Sequence, residues 1–257
     1  MTPVTPSFTA RVRAGEKVVG TFVKLAAVES VDLVAATGLD FCVVDAEHSQ
    51  LTRGDVSRLV RHAARGGFPA VVRLPALDPG EVNRVLEAGA SGVQLSGLRS
   101  AATAQALHEA MRYAPEGVRS VSLAQPAAGY GACALADYLA QDAADPPLVV
   151  GQIESATTDD PLEDVVRHVD VAFLGTMDLS VDLGVPGEMG HPTLVRRAEE
   201  VAAAAAAHGT RLGGWTPTAA QAATWWARGA TYLVVGSDLQ LLGHGLATLA
   251  SELGGPS

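Results

Sequence analysis

Val43-Val44-Asp45-Ala46-Glu47-His48 is an apolar run that ends abruptly in two carboxylates and an imidazole. A buried parallel strand reads as such a run, and charge at its exit places polar groups at the C-terminal end of a sheet, where parallel barrels keep their chemistry. The pattern returns in Val149-Val150-Gly151-Gln152-Ile153-Glu154 and in Val171-Ala172-Phe173-Leu174-Gly175-Thr176-Met177-Asp178. Three such endings on separate strands predict one polar site at one end of a sheet.

Outward from these runs, short β-like segments alternate with longer helical ones. Strands are expected at residues 18–22, 41–44, 70–74, 92–95, 148–153, 169–174, 211–214 and 232–235. Helices are expected at residues 30–36, 53–65, 79–87, 101–113, 162–168, 192–207, 219–227 and 240–253. Glycines at the helix exits, in Thr37-Gly38, Gly66-Gly67, Ala88-Gly89, His208-Gly209 and Arg228-Gly229, suit left-handed caps. Strands joined by crossover helices pair in parallel, and eight βα units predict a (β/α)8 barrel spanning residues 1–257 as one domain. A doubly wound sheet uses the same units, so closure rests on the count.

Composition narrows the chemistry. A chain of 257 residues, 48% hydrophobic but only 5% aromatic, builds its core from Val, Leu and Ala. The net charge of −10 disfavours nucleic acid and anionic membrane, which both attract clustered Lys and Arg. Cys42 and Cys133 form neither a metal-ligand pattern nor a disulfide framework. The first residues lack an apolar signal core, and no later segment is an uninterrupted apolar span. A cytoplasmic location is therefore expected.

One connection, residues 114–147, is too long for the repeat. It contains Pro126, Gly129, Gly131, Arg119 and Tyr130, with Asp137–Gln141 as a candidate short helix. Loops of this size are commonly functional. A lid, a subunit contact and a plain surface excursion are all open readings.

The candidate chemical groups lie at strand ends: Asp45, Glu47 and His48, then Arg73, then Gln152 and Glu154, then Asp178. Carboxylates from neighbouring strands, Glu154 and Asp178, suit a hard divalent ion such as Mg2+ or Mn2+ that leaves positions for water and substrate. Arg73 can share the charge of a bound oxyanion through paired hydrogen bonds. His48, oriented by Asp45 or Glu47, can move a proton near neutral pH. Together they predict enolate chemistry on a 2-keto acid, with aldol cleavage or addition as the reaction class. The blander readings are a structural Arg73–Asp45 ion pair, and Glu154 and Asp178 as helix caps or salt-bridge partners.

Taken in order, Asp45-Ala46-Glu47-His48, Val72-Arg73 with Pro75, Arg112-Tyr113-Ala114-Pro115 with Gly117-Val118-Arg119, Gln152-Ile153-Glu154, Asp178-Leu179-Ser180 and Val235-Gly236-Ser237-Asp238 resemble the HpcH/HpaI aldolase family. The likeness runs from about Gly20 to Leu253. It implies a barrel of the phosphoenolpyruvate/pyruvate-binding type and a class II, metal-dependent aldolase acting on 4-hydroxy-2-oxo acids. Position by position, it implies His48 as base acting with Asp45, Arg73 as the pyruvate and enolate clamp, and Glu154 with Asp178 as ligands of Mg2+, Mn2+ or Co2+. Gln152 supports the metal or its water, and backbone amides around Gly175, Thr176 and Met177 receive the substrate carboxylate. The implied partners are a 2-keto acid, an aldehyde and further copies of the chain, as a dimer, trimer or hexamer that exchanges the helix at about residues 240–253.

Several positions depart from the family pattern. Thr176-Met177 stands where relatives commonly have Pro-Ala, Phe22 stands near a common tryptophan with Lys24 beside it, and Ser120 follows Arg119 in place of glycine. A donor other than pyruvate is therefore open, and Trp215, at another strand end, is expected to shape an apolar acceptor pocket. Other readings of the same scaffold are a CoA-thioester lyase, an oxaloacetate-type decarboxylase and a noncatalytic keto-acid-binding relative.

Overall fold

The computed structural model describes residues 6–254. Eight strands, β1 (Val18–Val23), β2 (Phe41–Asp45), β3 (Ala70–Leu74), β4 (Gly92–Leu95), β5 (Leu148–Ile153), β6 (Val171–Leu174), β7 (Arg211–Thr216) and β8 (Ala230–Ser237), form a closed barrel in chain order. Every pairing is parallel, including the closing one, in which Val18 faces Tyr232 and Phe22 faces Ser237. Closure is thus observed, and the open doubly wound alternative falls.

The helices are α1 (Phe8–Ala14), α2 (Val28–Ala36), α3 (Arg53–Arg65), α4 (Pro79–Glu87), α5 (Ala101–Ala110), α6 (Leu135–Ala144), α7 (Leu162–Val166), α8 (Thr176–Asp182), α9 (Pro192–His208), α10 (Ala222–Ala227) and α11 (Asp238–Glu252). Local chemistry explains their ends. Thr52 and Asp55 form a reciprocal capping box at the start of α3, and Asp78 accepts amides at the start of α4. Gly209 ends α9 at φ 71°, in the left-handed region that glycine enters without penalty. α1 and α8 were not foreseen, and both are a mere seven residues long. So few residues leave too little periodicity to stand out.

Alternation along the strands separates two environments. Cys42, Val44, Val72, Val93 and Val149 point outward and pack under the helices. Phe41, Val43, Val71, Val150, Phe173, Tyr232 and Val234 point inward and fill the barrel. The same period of two carries the inward face of β2 on to Asp45, of β3 to Arg73, of β4 to Gln94 and of β5 to Gln152. The interior therefore changes from hydrocarbon to polar at the C-terminal mouth.

The opposite end is closed by α1. Phe8 and Val12 join the interior cluster, and the Phe8 and Phe41 rings lie 5.1 Å apart. Arg13 ties this plug down through Asp170 at 2.8 Å and the Pro146 carbonyl at 2.8 Å.

Residues 114–147 lie at this closed end. α5 stops at Ala110, and the chain doubles back so that the amides of Val118 and Arg119 bond the carbonyls of Glu109 and Arg112. Gly117 permits the return, because a Cβ there would overlap those same carbonyls. Arg119 is buried, stacked 4.5 Å from the Tyr113 ring centroid and bonded to Asn83 and Asp142. This corrects two expectations. Arg119 is no member of the mouth, and the insert is no lid over its own barrel, because a helix-to-strand connection returns the chain to the N-terminal face. A groove of about 730 Å³ between the insert and α3, edged by Arg58, Arg61 and Arg65, runs along the outside of α3 from Gly54 to Arg65.

Candidate active site

Asp45 is the most constrained side chain of the mouth. It is fully buried and accepts two hydrogen bonds from Arg73, Nε at 2.9 Å and Nη2 at 2.6 Å. It also accepts the backbone amides of Glu47 and His48, each at 3.1 Å, and lies 2.8 Å from Lys24 Nζ. Burial opposes ionisation, but Arg73, Lys24 and the His48 amide outweigh it and hold the carboxyl well below the usual carboxylate range.

Arg73 is held on all sides. Its guanidinium lies 4.3 Å from the Phe22 ring centroid, and Nη1 stands 3.4 Å from Glu47. Glu47 is itself fixed by the Ser96 hydroxyl at 2.6 Å. The structural ion-pair reading of Arg73 and Asp45 is therefore correct as geometry, yet Arg73 still lines the cavity. A neutralised, stacked guanidinium with N–H groups left over is a preorganised clamp.

His48 occupies a different position from the one expected. Its ring is more than half exposed, and its nearest carboxylate is Glu47, 3.6 Å from Nε2. Asp45 holds the His48 backbone, not its imidazole. Of the two carboxylates weighed for orienting the ring, Glu47 is the one within reach.

On the other side of the mouth, Glu154 accepts the Gly97 amide at 2.8 Å and a short hydrogen bond from Gln152 Nε2. Burial raises its pKa, and the charges of Asp178 and Glu47 raise it further against the Gln152 bond. Gly175 lies against this group, where a Cβ would come within 2.7 Å of Glu154 Oε2. Asp178 stands in the first turn of α8, and Gly175, the residue before the helix, supplies no side-chain cap.

This donor set fits a divalent cation. Glu154 and Asp178 supply hard oxygens, their mutual repulsion is what a cation relieves, and Gly175 keeps the approach clear. Among the described residues no three His, Cys, Asp or Glu side chains gather into a closed cage. A carboxylate pair suits an ion that completes its shell with water and substrate.

Phe22, Lys24, His48, Arg73, Gln152, Gly175, Thr176, Met177, Asp178 and Trp215 line one cavity of about 410 Å³ at the barrel mouth. Three contributors escaped the sequence reading. Gln94 is buried and donates to Gln152 Oε1 at 2.5 Å, while its own Oε1 has no partner. Ser96 holds Glu47, and Asp238 accepts the amides of Lys24 and Leu25, each at 3.0 Å. Gln94 had a legible signal, a polar residue at an inward position of Gly92-Val93-Gln94-Leu95. Asp238 closes the Val235-Gly236-Ser237-Asp238 stretch but had no role assigned to it, and Ser96, which acts across strands, had no signal.

The chain belongs to the HpcH/HpaI aldolase/citrate lyase family, whose profile matches residues 18–245. It is accordingly a metal-dependent carbon–carbon lyase of the aldolase class. It is 33% identical over 237 residues to a 5-keto-4-deoxy-D-glucarate aldolase of Klebsiella pneumoniae subsp. pneumoniae, covering 90% of each chain. Among solved structures, an HpcH/HpaI aldolase from Desulfitobacterium hafniense superposes with a TM-score of 0.89 at 29% identity, over 97% of both chains. An HpcH/HpaI aldolase/citrate lyase family protein from Burkholderia cenocepacia gives 0.88 at 28% identity, over 97% of this chain and 99% of the other. Among the described residues no helix is long and apolar enough to cross a membrane.

Proposed function

We propose that the mouth binds a 2-keto acid, pyruvate or a near relative, and makes or breaks the carbon–carbon bond of a 4-hydroxy-2-oxo acid, with Glu154 and Asp178 holding Mg2+, Mn2+ or Co2+. The carrying observation is convergence: a fixed guanidinium, an imidazole and the Asp178 carboxylate face one cavity of about 410 Å³, and Glu154 stands directly behind its wall, against Gly175 and bonded to Gln152. When bound, the divalent ion supplies a Lewis acid that polarises the keto group.

The chain's own residues do the rest. His48, with Glu47 beside it, takes a proton from C3 of the donor, directly or through a water. Arg73 balances the charge that then develops on the enolate oxygen, while Asp45 and the Phe22 ring keep the guanidinium from turning. Gln152, held by Gln94, orients Glu154. The first amides of α8, at Thr176 and Met177, receive the substrate carboxylate, and Trp215 supplies an apolar wall. In the addition direction the enolate carbon bonds to the aldehyde carbon, and the aldehyde oxygen takes up a proton. In cleavage the same steps run backwards. The similarity to 5-keto-4-deoxy-D-glucarate aldolases supports a hydroxylated keto acid as one substrate class.

The test is methyl exchange of pyruvate in D2O, followed by NMR with and without Mn2+ or Mg2+, with oxaloacetate run alongside as a second donor. Metal-dependent exchange abolished in His48→Ala is expected. Exchange that ignores both the metal and Glu154→Ala overturns the reading.

The working unit is a homo-oligomer in which a second copy covers α11. This helix buries none of its residues, and Leu239, Leu241, Leu242, Leu246, Leu249 and Leu253 are all exposed. A leucine face of that extent supports exchange or docking between subunits. Unpaired Cys42 and Cys133 support a cytoplasmic location.

A further inference from the structure

Met177 stands in a wall shared by two cavities. Together with Thr176 and Trp215 it lines the catalytic mouth, and the same three residues line a second chamber of about 430 Å³ between α8, the start of α9 and α10. Thr176 is buried, whereas Met177 is half exposed, an unusual state for a large apolar side chain beside a polar site. Met189, Leu194, Pro217 and Trp225 line the chamber beyond it. Trp225 is immobilised there, because it packs on Gly214, where any Cβ would overlap the indole. The polar groups of the lining are Gln221, whose carbonyl oxygen accepts the Thr216 hydroxyl at 2.7 Å, Thr224, and Arg228, whose guanidinium lies 5.9 Å from the Trp225 ring centroid.

Apart from Gln221, Thr224 and Arg228, this lining has little to offer the hydroxyl groups of a sugar acid, which would lose water against Met177, Met189, Leu194 and Trp225 without gaining partners there. It has much to offer a carbon chain. Methionine is unbranched and polarizable, so a pair of methionines adapts to chains of different shape. The volume falls within the range of small-molecule pockets.

We propose that the physiological substrate carries an apolar substituent of several carbons, which passes Met177 and lies in this chamber against Trp225. This rests on the aldolase reading above and deepens it. Met177 then has a role, as the side chain that forms the passage. The substituent can belong to the aldehyde acceptor or to the 2-keto acid donor, and two arms of one experiment tell them apart.

In the first arm, pyruvate is offered hexanal or glyceraldehyde. In the second, glycolaldehyde is offered 2-oxohexanoate or pyruvate. In one of the two arms, kcat/KM for the apolar compound should exceed that for its polar or shorter counterpart by roughly tenfold or more, the discrimination that a few buried methylenes supply. Met189→Asp places a charge in the chamber and should lower that ratio by about tenfold. Met177→Asp, at the passage, should lower it as well, so the result does not depend on one variant folding. Pyruvate exchange in D2O needs no acceptor and reports the catalytic half alone. Exchange without an apolar preference in either arm, or a preference that survives both variants, overturns the chamber and leaves the aldolase reading standing. Absence of exchange with every donor removes both.

Discussion

Arg73 and Asp45 face each other across β2 and β3 in register, and the guanidinium grips the carboxylate through two hydrogen bonds of 2.9 and 2.6 Å at the floor of the mouth. The pair is buried, so neither charge is tolerable without the other. The contacts of Asp45 thus run to Arg73 and to the backbone of the loop that carries Glu47 and His48, not to the His48 ring.

Asp45→Asn should destabilise the fold by about 3 kcal/mol at neutral pH, because it leaves a buried guanidinium short of its counter-charge. The folded carboxyl titrates below the unfolded one. Its contribution is therefore complete above the unfolded pKa, near 4, and is lost as pH falls through the depressed folded value. Urea midpoints of wild type and variant should differ most at pH 7 and converge below about pH 4. A gap that stays constant down to pH 2 refutes the assignment.

Gly175→Ala should weaken Mn2+ binding by roughly 10- to 100-fold, the usual effect of disturbing a ligand's support. The added methyl meets Glu154 Oε2 at 2.7 Å and Glu154 Cβ at 2.8 Å, so the carboxylate has to move. Calorimetric titration with Mn2+ reads this without substrate. Unchanged affinity would take Glu154 out of the metal site.

The two cysteines should react very differently. Cys42 is wholly buried in β2, and burial, aided by the charge of Asp238, pushes its thiol up to about 12. Cys133 is partly exposed. A chromogenic disulfide reagent at pH 8 should titrate one thiol in the native protein and both in urea. Rapid native labelling of both contradicts the packing around β2.

Leu242→Lys combined with Leu246→Lys should dissociate the proposed oligomer, since both leucines are more than half exposed on α11. Sedimentation would show the change in mass, and far-ultraviolet circular dichroism should show the barrel intact. Wild-type protein that sediments as a monomer at micromolar concentration excludes the proposed role of α11.

Much of the fold was legible because both of its periods are strong. Strands such as Ala70–Leu74 and helices such as Arg53–Arg65 begin and end where the apolar pattern and the caps put them. Less regular stretches were not. Helix α5 ends before Met111 because Gly117 lets the chain fold back onto it, a contact between residues that no periodicity joins. The same applies in the site. Asp45, Arg73, Gln152 and Glu154 were visible as polar breaks in apolar runs, whereas Ser96 and Asp238 are defined by partners from distant parts of the chain.

The Asp45-Ala46-Glu47-His48 corner shows where that division falls. Sequence by itself determined that charge emerges at the end of a buried strand, because the alternation that sends Phe41 and Val43 inward must send Asp45 inward too. It also determined the eight βα repeats whose helices return the chain to the same edge, although their closure into a barrel was decided by the tertiary structure. Only the tertiary structure decided which groups meet: that Asp45 grips Arg73, that the imidazole lies by Glu47, that Arg119 sits at the closed end, and that Met177 separates two chambers. A strand's direction and face follow from its own residues. The distance between two side chains depends on barrel closure and register, which every strand sets jointly.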